Sequence, residues 1–320
     1  MSVTDMQADT GTTSLVVALL APMPERLLQA LGDAGHRIAQ PGDAWWAEAS
    51  VAVTRGSLPT GDEILATLPR LALLCCWGSG FDGIDLQAMA HRGVAVARSP
   101  GSNSASVADL AMGFVIALLR GLPQAQAHVR SGAWQKAELR LPPARGLTGS
   151  RLGIFGAGDV GRRVLARAQA FEMELACCSR RDPGLPGVRY FAQLRELAQW
   201  CDVLVLSVRA DASTRHAVDA QVLQALGPQG CLVNVARGSV VDEAALCVAL
   251  AQRTLGGFAS DVFEHEPVVP SPMLRFANAV LTPHVGGATQ QAQQAQVDAV
   301  MHNLQSFLAT GQPAHPVTTA

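Results

Sequence analysis

Residues 151–163 read RLGIFGAGDVGRR, and this stretch decides the fold. An apolar, strand-like run ends in Gly156, Gly158 and Gly161, spaced as GxGxxG, and helix-forming residues follow. Alone the spacing is weak; between a strand and a helix it marks a dinucleotide-binding α/β unit. Gly156 permits the tight turn, Gly158 lets the backbone approach a pyrophosphate, and Gly161 lets the helix pack on the strand. Ala157, Asp159 and Val160 complete the loop. The helix N-terminus offers amide donors and a dipole of the right sign to the phosphates.

The next apolar run, MELACC, ends in Ser179, Arg180 and Arg181. NAD-binding units place a carboxylate about 20 residues past the glycines to hold the ribose 2′-OH. A carboxylate repels a 2′-phosphate, whereas guanidinium groups grip it and a serine hydroxyl can donate to it. The pattern therefore favours NADP(H). Asp182 keeps the alternative open, in which the arginines are solvated and the cofactor is NAD(H).

Strand-like and helical runs alternate outward from this loop in both directions, the mark of parallel α/β sheets. Upstream, the strand candidates are LVVALLA (15–21), ASVAVTRG, LALLCCWGSG and VAVARSPG, with helices between them. A long apolar helix is expected over 104–122, followed by a surface arm. Downstream, the strand candidates are DVLVLSV, GCLVNVA, GGFASDV and AVLTPH, and a final helix spans 288–311. Residues 1–14 read as a tail, 15–102 with 288–320 as one domain, and 103–287 as a domain inserted into it. The cleft between two such domains is the expected ligand site.

Composition narrows the function classes. The chain has 320 residues and a formal net charge of −2, which leaves no basic footprint for nucleic acid and no polybasic membrane patch. No basic leader precedes the first apolar run, and no run is long enough to span a bilayer. The seven cysteines show no metal-ligand spacing and read as small buried hydrophobes of a cytoplasmic protein.

Three later stretches carry the chemistry. CLVNVARGSVVDEAAL holds Arg237 just past a strand, GGFASDVFEHEP holds Asp261, Glu264 and Glu266, and AVLTPHVGGAT holds His284. Ligands of open α/β sheets sit beyond the carboxyl ends of the strands. There an Arg can clamp a carboxylate and polarise a carbonyl, a His can protonate the forming alkoxide, and a Glu can orient the imidazole.

These strings, in this order, resemble the D-isomer-specific 2-hydroxyacid dehydrogenases from about residue 15 to 310. The resemblance implies two doubly wound parallel-sheet α/β domains, a Rossmann cofactor domain inserted into a flavodoxin-like substrate domain. It makes Arg237 the substrate-binding Arg, Glu266 the partner of His284, and His284 the acid/base. Glu266 is chosen over Glu264 because it directly precedes Pro267. To the cofactor it assigns Val208, Thr214, Val235, Ala236, Asp261, Gly286 and Gly287, alongside the glycine loop, Ser179, Arg180, Arg181, Arg237 and His284. To the substrate carboxylate it assigns Gly78, Ser79 and Gly80 of WGSGFDGIDL, where successive amides can form an anion nest. It also implies a homodimer through 104–148.

Within the family, SRR after the second strand is similar to the glyoxylate/hydroxypyruvate reductases. The expected activity is NADP(H)-preferring reduction of a small 2-oxo acid to the D-2-hydroxy acid. Two other readings stay open: an NAD-dependent dehydrogenase of another 2-hydroxy acid, and a non-catalytic dinucleotide sensor of the co-repressor type. The complete Arg/Glu/His set argues for catalysis. His36, His91, His128, His216, His302 and His315 have no motif around them and read as surface or packing residues.

Overall fold

The computed structural model describes residues 14–136 and 140–317. They form two compact units, 14–103 with 288–317 and 104–287. Asn103 closes the first unit, so the boundary falls one residue after the expected one. Of the expected tail, residues 1–13 lie outside the described residues. Ser14 is tied down, its hydroxyl donating to the Gly35 carbonyl at 2.7 Å.

The first unit is a five-stranded sheet of β1 (Val16–Leu19), β2 (Arg37–Ala39), β3 (Val51–Thr54), β4 (Leu73–Cys76) and β5 (Ala95–Ala97). All pairs are parallel and the order is β2-β1-β3-β4-β5, the flavodoxin-like arrangement. β3 and β4 are buried at every residue, because helices cover both faces of a parallel sheet. On one face α1 (Glu25–Asp33) supplies Leu27 and Leu31, and α10 (Gln290–Thr310) supplies Val297, Val300 and Leu304. On the other, α2 (Asp62–Thr67) and α3 (Leu86–His91) bring Leu65 and Met89. Thr289 caps α10 by accepting from the Ala292 N–H, and Gly311 ends it at φ 74°.

The second unit is a seven-stranded parallel sheet. Its strands are β6 (Arg151–Phe155), β7 (Glu174–Cys178), β8 (Val188–Phe191), β9 (Val203–Leu206), β10 (Cys231–Asn234), β11 (Gly257–Ser260) and β12 (Ala279–Leu281). The order β12-β11-β10-β9-β6-β7-β8, read from β8, is the Rossmann order with one strand added. The direction reverses between β6 and β9, the switch point where dinucleotides bind in such sheets. α4 (Ser104–Leu119) is apolar nearly all round and packs with α6 (Asp159–Ala170) over one face of this sheet.

The helix expected over 104–122 ends three residues early, and a second helix follows it. α4 stops at Leu119, Gly121 takes φ 58°, and α5 (Leu122–Arg130) leaves at 62°. Gly121 makes the left-handed turn, and Pro123 lacks the N–H that a continuous helix would need. The arm after α5 is exposed where described, Trp134 at 73%. No single helix among the described residues is long and apolar enough to cross a membrane. None of the seven cysteines is paired, and burial pushes the thiols up, that of Cys76 to about 12 and that of Cys178 to about 11.

Candidate active site

The glycine loop is shaped by close approach. Gly156 has φ 102°, and a Cβ there would lie 2.6 Å from the Val208 Cα. A Cβ on Gly161 would lie 2.0 Å from the Gly156 carbonyl oxygen, so α6 rests directly on the turn. Ser207 Oγ donates to that same carbonyl at 2.8 Å. Gly158 is the opposite case: a Cβ there would meet nothing within 4 Å, leaving the backbone open at the start of α6. That is the cradle a pyrophosphate needs, with the helix N-terminus behind it.

Beyond the end of β7, Arg180 and Arg181 are exposed and Ser179 is half-buried. The Ser179 hydroxyl donates to the Arg181 carbonyl at 2.7 Å and closes the turn that presents both guanidinium groups. Asp182 closes a turn of its own by accepting from the Gly184 N–H at 2.9 Å. Asp211, beyond β9, carries a lowered pKa. The Ser213 hydroxyl bond is the main cause, set against slight burial, with the Ser213 N–H and the charges of Arg180 and Arg209 adding to it. Thr214 is buried and ties this loop together, accepting from the Asp211 N–H at 2.8 Å and donating to the Arg209 carbonyl at 3.0 Å. Arg209 and Asp211 escaped the sequence reading because no motif marks them.

Arg237 leaves the end of β10 on a short turn, after Val235 and Ala236. Asn234, 1% exposed, holds that turn: its Nδ2 donates to the Arg237 carbonyl at 2.9 Å and its Oδ1 accepts from the Ala236 N–H at 3.0 Å. A Cβ on Gly238 would lie 1.9 Å from the Phe263 carbonyl carbon, so the Arg237 turn and the segment bearing Glu266 interlock. Glu266 Oε1 accepts from the Phe263 N–H at 3.0 Å, and Oε2 lies 2.7 Å from His284 Nδ1. Burial pushes the Glu266 carboxyl up. The His284 hydrogen bond and charge, the Phe263 N–H and the Arg237 charge outweigh it and hold the carboxyl below its ordinary range. With Nδ1 facing Glu266, His284 Nε2 is the nitrogen left for a reactant.

His284 has φ 53°, a left-handed conformation that is strained for a side chain of its size. Asp261, 3% exposed, over-determines it. Its Oδ1 accepts from Thr282 Oγ1 at 2.5 Å and from the Val285 N–H at 2.7 Å, and its Oδ2 from the Gly286 N–H at 2.7 Å. The Asp261 carbonyl takes the His284 N–H at 2.9 Å. The carboxylate assigned to the cofactor is thus already engaged in mounting His284, and Gly287 follows this turn.

His216, read as a surface or packing residue, bonds across two segments of the site. Its ring Nε2 lies 3.0 Å from Glu264 Oε1, which also accepts from the Arg215 guanidinium at 2.8 Å. Its N–H reaches the Ser239 carbonyl at 2.8 Å, and it too is left-handed, φ 49°. His216 therefore touches both the segment after Arg237 and the segment before Glu266. The contacts join residues far apart in sequence, which leaves no local signal to read.

In the first unit, the turn after β4 carries Gly78, Ser79 and Gly80. The Gly78 carbonyl accepts from the Ser99 N–H at 3.0 Å, and Ser79 Oγ donates to the Ser99 carbonyl at 3.0 Å. A Cβ on Gly56 would fall 1.7 Å from the Gly80 carbonyl oxygen, so that glycine lets the turn settle. Among the described residues, the N–H groups of Gly78, Ser79 and Gly80 have no hydrogen-bond partner. Trp77 packs on the core of this unit.

The profile of the D-isomer specific 2-hydroxyacid dehydrogenase NAD binding domain matches residues 112–286. Glyoxylate/hydroxypyruvate reductase A of Arabidopsis thaliana is 38% identical over 247 residues, covering 77% of this chain and 78% of the relative. Hydroxyphenylpyruvate reductase of Plectranthus scutellarioides is 36% identical over 251 residues, 78% of this chain and 79% of the relative. The NADPH-dependent glyoxylate/hydroxypyruvate reductase of Sinorhizobium meliloti, solved in complex with NADP and malonate, superposes with TM-score 0.87 at 35% identity, over 96% of this chain and 97% of that one. With the Rossmann loop and the Arg, Glu and His segments in place, the chain belongs to the D-isomer-specific 2-hydroxyacid dehydrogenases, NAD(P)-dependent oxidoreductases that interconvert 2-oxo and 2-hydroxy acids.

Proposed function

We propose that this enzyme is an NADP(H)-preferring reductase of small 2-oxo acids, of the glyoxylate/hydroxypyruvate type, giving the D-2-hydroxy acid. The observation that carries the chemistry is the 2.7 Å bond between Glu266 and His284, in a carboxylate field that Arg237 also enters. A dihydronicotinamide held by the Gly156–Gly161 loop would supply the hydride equivalent for reduction at C2. Arg237 pairs with the substrate carboxylate and polarises the carbonyl, and His284 Nε2–H gives its proton to the carbonyl oxygen as C2 is reduced. Glu266 keeps Nδ1 occupied and holds the ring in orientation. The unpartnered amides of Gly78, Ser79 and Gly80 suit a carboxylate as well.

NADP(H) preference rests on two exposed guanidinium groups at the end of β7, on Asp182 being engaged in its own turn, and on the S. meliloti relative described with NADP. A steady-state screen of 2-oxo acids against NADPH and NADH tests the whole reading. Reduction of glyoxylate and hydroxypyruvate, faster with NADPH, is the expected result; NADPH binding without turnover of any 2-oxo acid overturns it.

Asn234→Ala removes both hydrogen bonds that fix the Arg237 turn. At roughly 1 kcal/mol or more for each, kcat/KM for 2-oxo acids falls about ten- to hundredfold. NADPH affinity, measured by fluorescence titration, changes far less.

The exposed arm with Trp134 supports a homodimer through 104–148. Light scattering is expected to give twice the chain mass, and Trp134→Lys to shift it toward the monomer. The unpaired thiols support a reducing, cytoplasmic compartment.

A further inference from the structure

α10 buries two carboxamides and uses them in opposite ways. Asn303 is 0% exposed and employs both ends of its amide: Nδ2 donates to the Arg98 carbonyl at 3.0 Å, and Oδ1 accepts from the His315 N–H at 2.8 Å. Two helical turns earlier, Gln296 is 4% exposed, and its Oε1 has no partner among the described residues. A buried acceptor without a donor is destabilising, and an apolar side chain of similar volume would fill the place without that penalty. Packing therefore does not account for a glutamine here.

Its position does. Gln296 Nε2 stands 4.0 Å from where a Cβ on Gly78 would be, the one described atom that near apart from Gly78 and its chain neighbours. Gly78 opens the turn with three unpartnered N–H groups, and Ser99 pins that turn through its N–H and carbonyl. The carboxamide thus borders the turn at Gly78. The terminal torsion of a glutamine is broad and roughly two-fold, so either end of the amide can face Gly78.

We infer that Gln296 is a specificity-determining residue that accepts a hydrogen bond from a hydroxyl on C3 of the 2-oxo acid. This rests on the Gly78–Gly80 turn holding the substrate carboxylate, as proposed above. C3 and the carboxyl carbon are both bonded to C2, so a group beside the carboxylate cradle is within reach of a C3 substituent. Hydroxypyruvate carries that hydroxyl, pyruvate is the same molecule without it, and glyoxylate has no C3. A site built to bond a hydroxyl rejects the analogue lacking it, because the buried acceptor then stays unpaired.

The experiment compares kcat/KM for hydroxypyruvate, pyruvate and glyoxylate in the wild-type enzyme and in Gln296→Met and Gln296→Leu. The hydroxypyruvate-to-pyruvate ratio is expected to drop at least about tenfold in both variants. A ratio that stays put overturns the assignment while leaving the reductase reading intact. A wild-type enzyme that reduces none of the three sinks the reductase reading itself. Should the variants fold poorly, product inhibition of the wild type answers the same question. D-glycerate is expected to inhibit more tightly than D-lactate, and equal inhibition refutes the role of Gln296.

Discussion

His284→Ala lowers kcat for 2-oxo acid reduction by about two to four orders of magnitude, the range for losing a general acid. The Glu266–His284 bond of 2.7 Å is the reason to expect so large an effect. That bond fixes the ring and turns Nε2 to the proposed role of proton donor, and no other imidazole makes a bond to Glu266 among the described residues. NADPH affinity, followed by fluorescence titration, changes only a few-fold. A kcat near that of the wild type would remove His284 from the acid/base role. His284→Gly separates chemistry from backbone strain, since glycine adopts φ 53° freely. It is expected to be as inactive as the alanine variant and to melt at a higher temperature. The Glu266 carboxyl is depressed, so its contribution to stability is present above the unfolded carboxylate pKa, about 4.3. That contribution is lost only as pH falls through the lower folded-state value, and neutral pH lies clear of that window.

The double variant Arg180→Ala, Arg181→Ala weakens NADPH by about two to four orders of magnitude, taking roughly 1.5–3 kcal/mol for each charge-assisted contact. NADH, lacking the 2′-phosphate, loses only a few-fold. Dissociation constants for both cofactors, at one ionic strength, give the comparison. Equal losses would falsify the 2′-phosphate assignment. Ser179→Ala is expected to do less than either arginine, because its hydroxyl already donates to the Arg181 carbonyl.

Unbroken apolar runs such as VAVT and LLCC announced buried parallel strands, and both are buried at every residue. β2 and β8 escaped notice for the complementary reason. Each is an edge strand of three or four residues, partly exposed and carrying an arginine, Arg37 or Arg189. Neither has a hydrophobic period to detect. The stop before Gly121 was written in the sequence as Gly-Leu-Pro, but the apolar run ahead of it drew the expected helix three residues too far. In the site, Arg237, Glu266 and His284 stand in strings distinctive enough to read directly. Glu264 and His216 bond segments that only the fold brings together, 216 with 264, whereas Asn234 holds its own turn two and three residues ahead without a motif to mark it. Gln296 looked like one more glutamine in a glutamine-rich helix, and only its burial sets it apart.

The contact of Gly238 with Phe263 has a consequence for anyone who would move this chemistry to another scaffold. The turn presenting Arg237 and the strap presenting Glu266 are seated so closely that one added methyl would wedge them apart. They behave as a single keyed part. Transplanting either loop alone would deliver its side chain without the surface that sets its angle, so the smallest portable piece spans both.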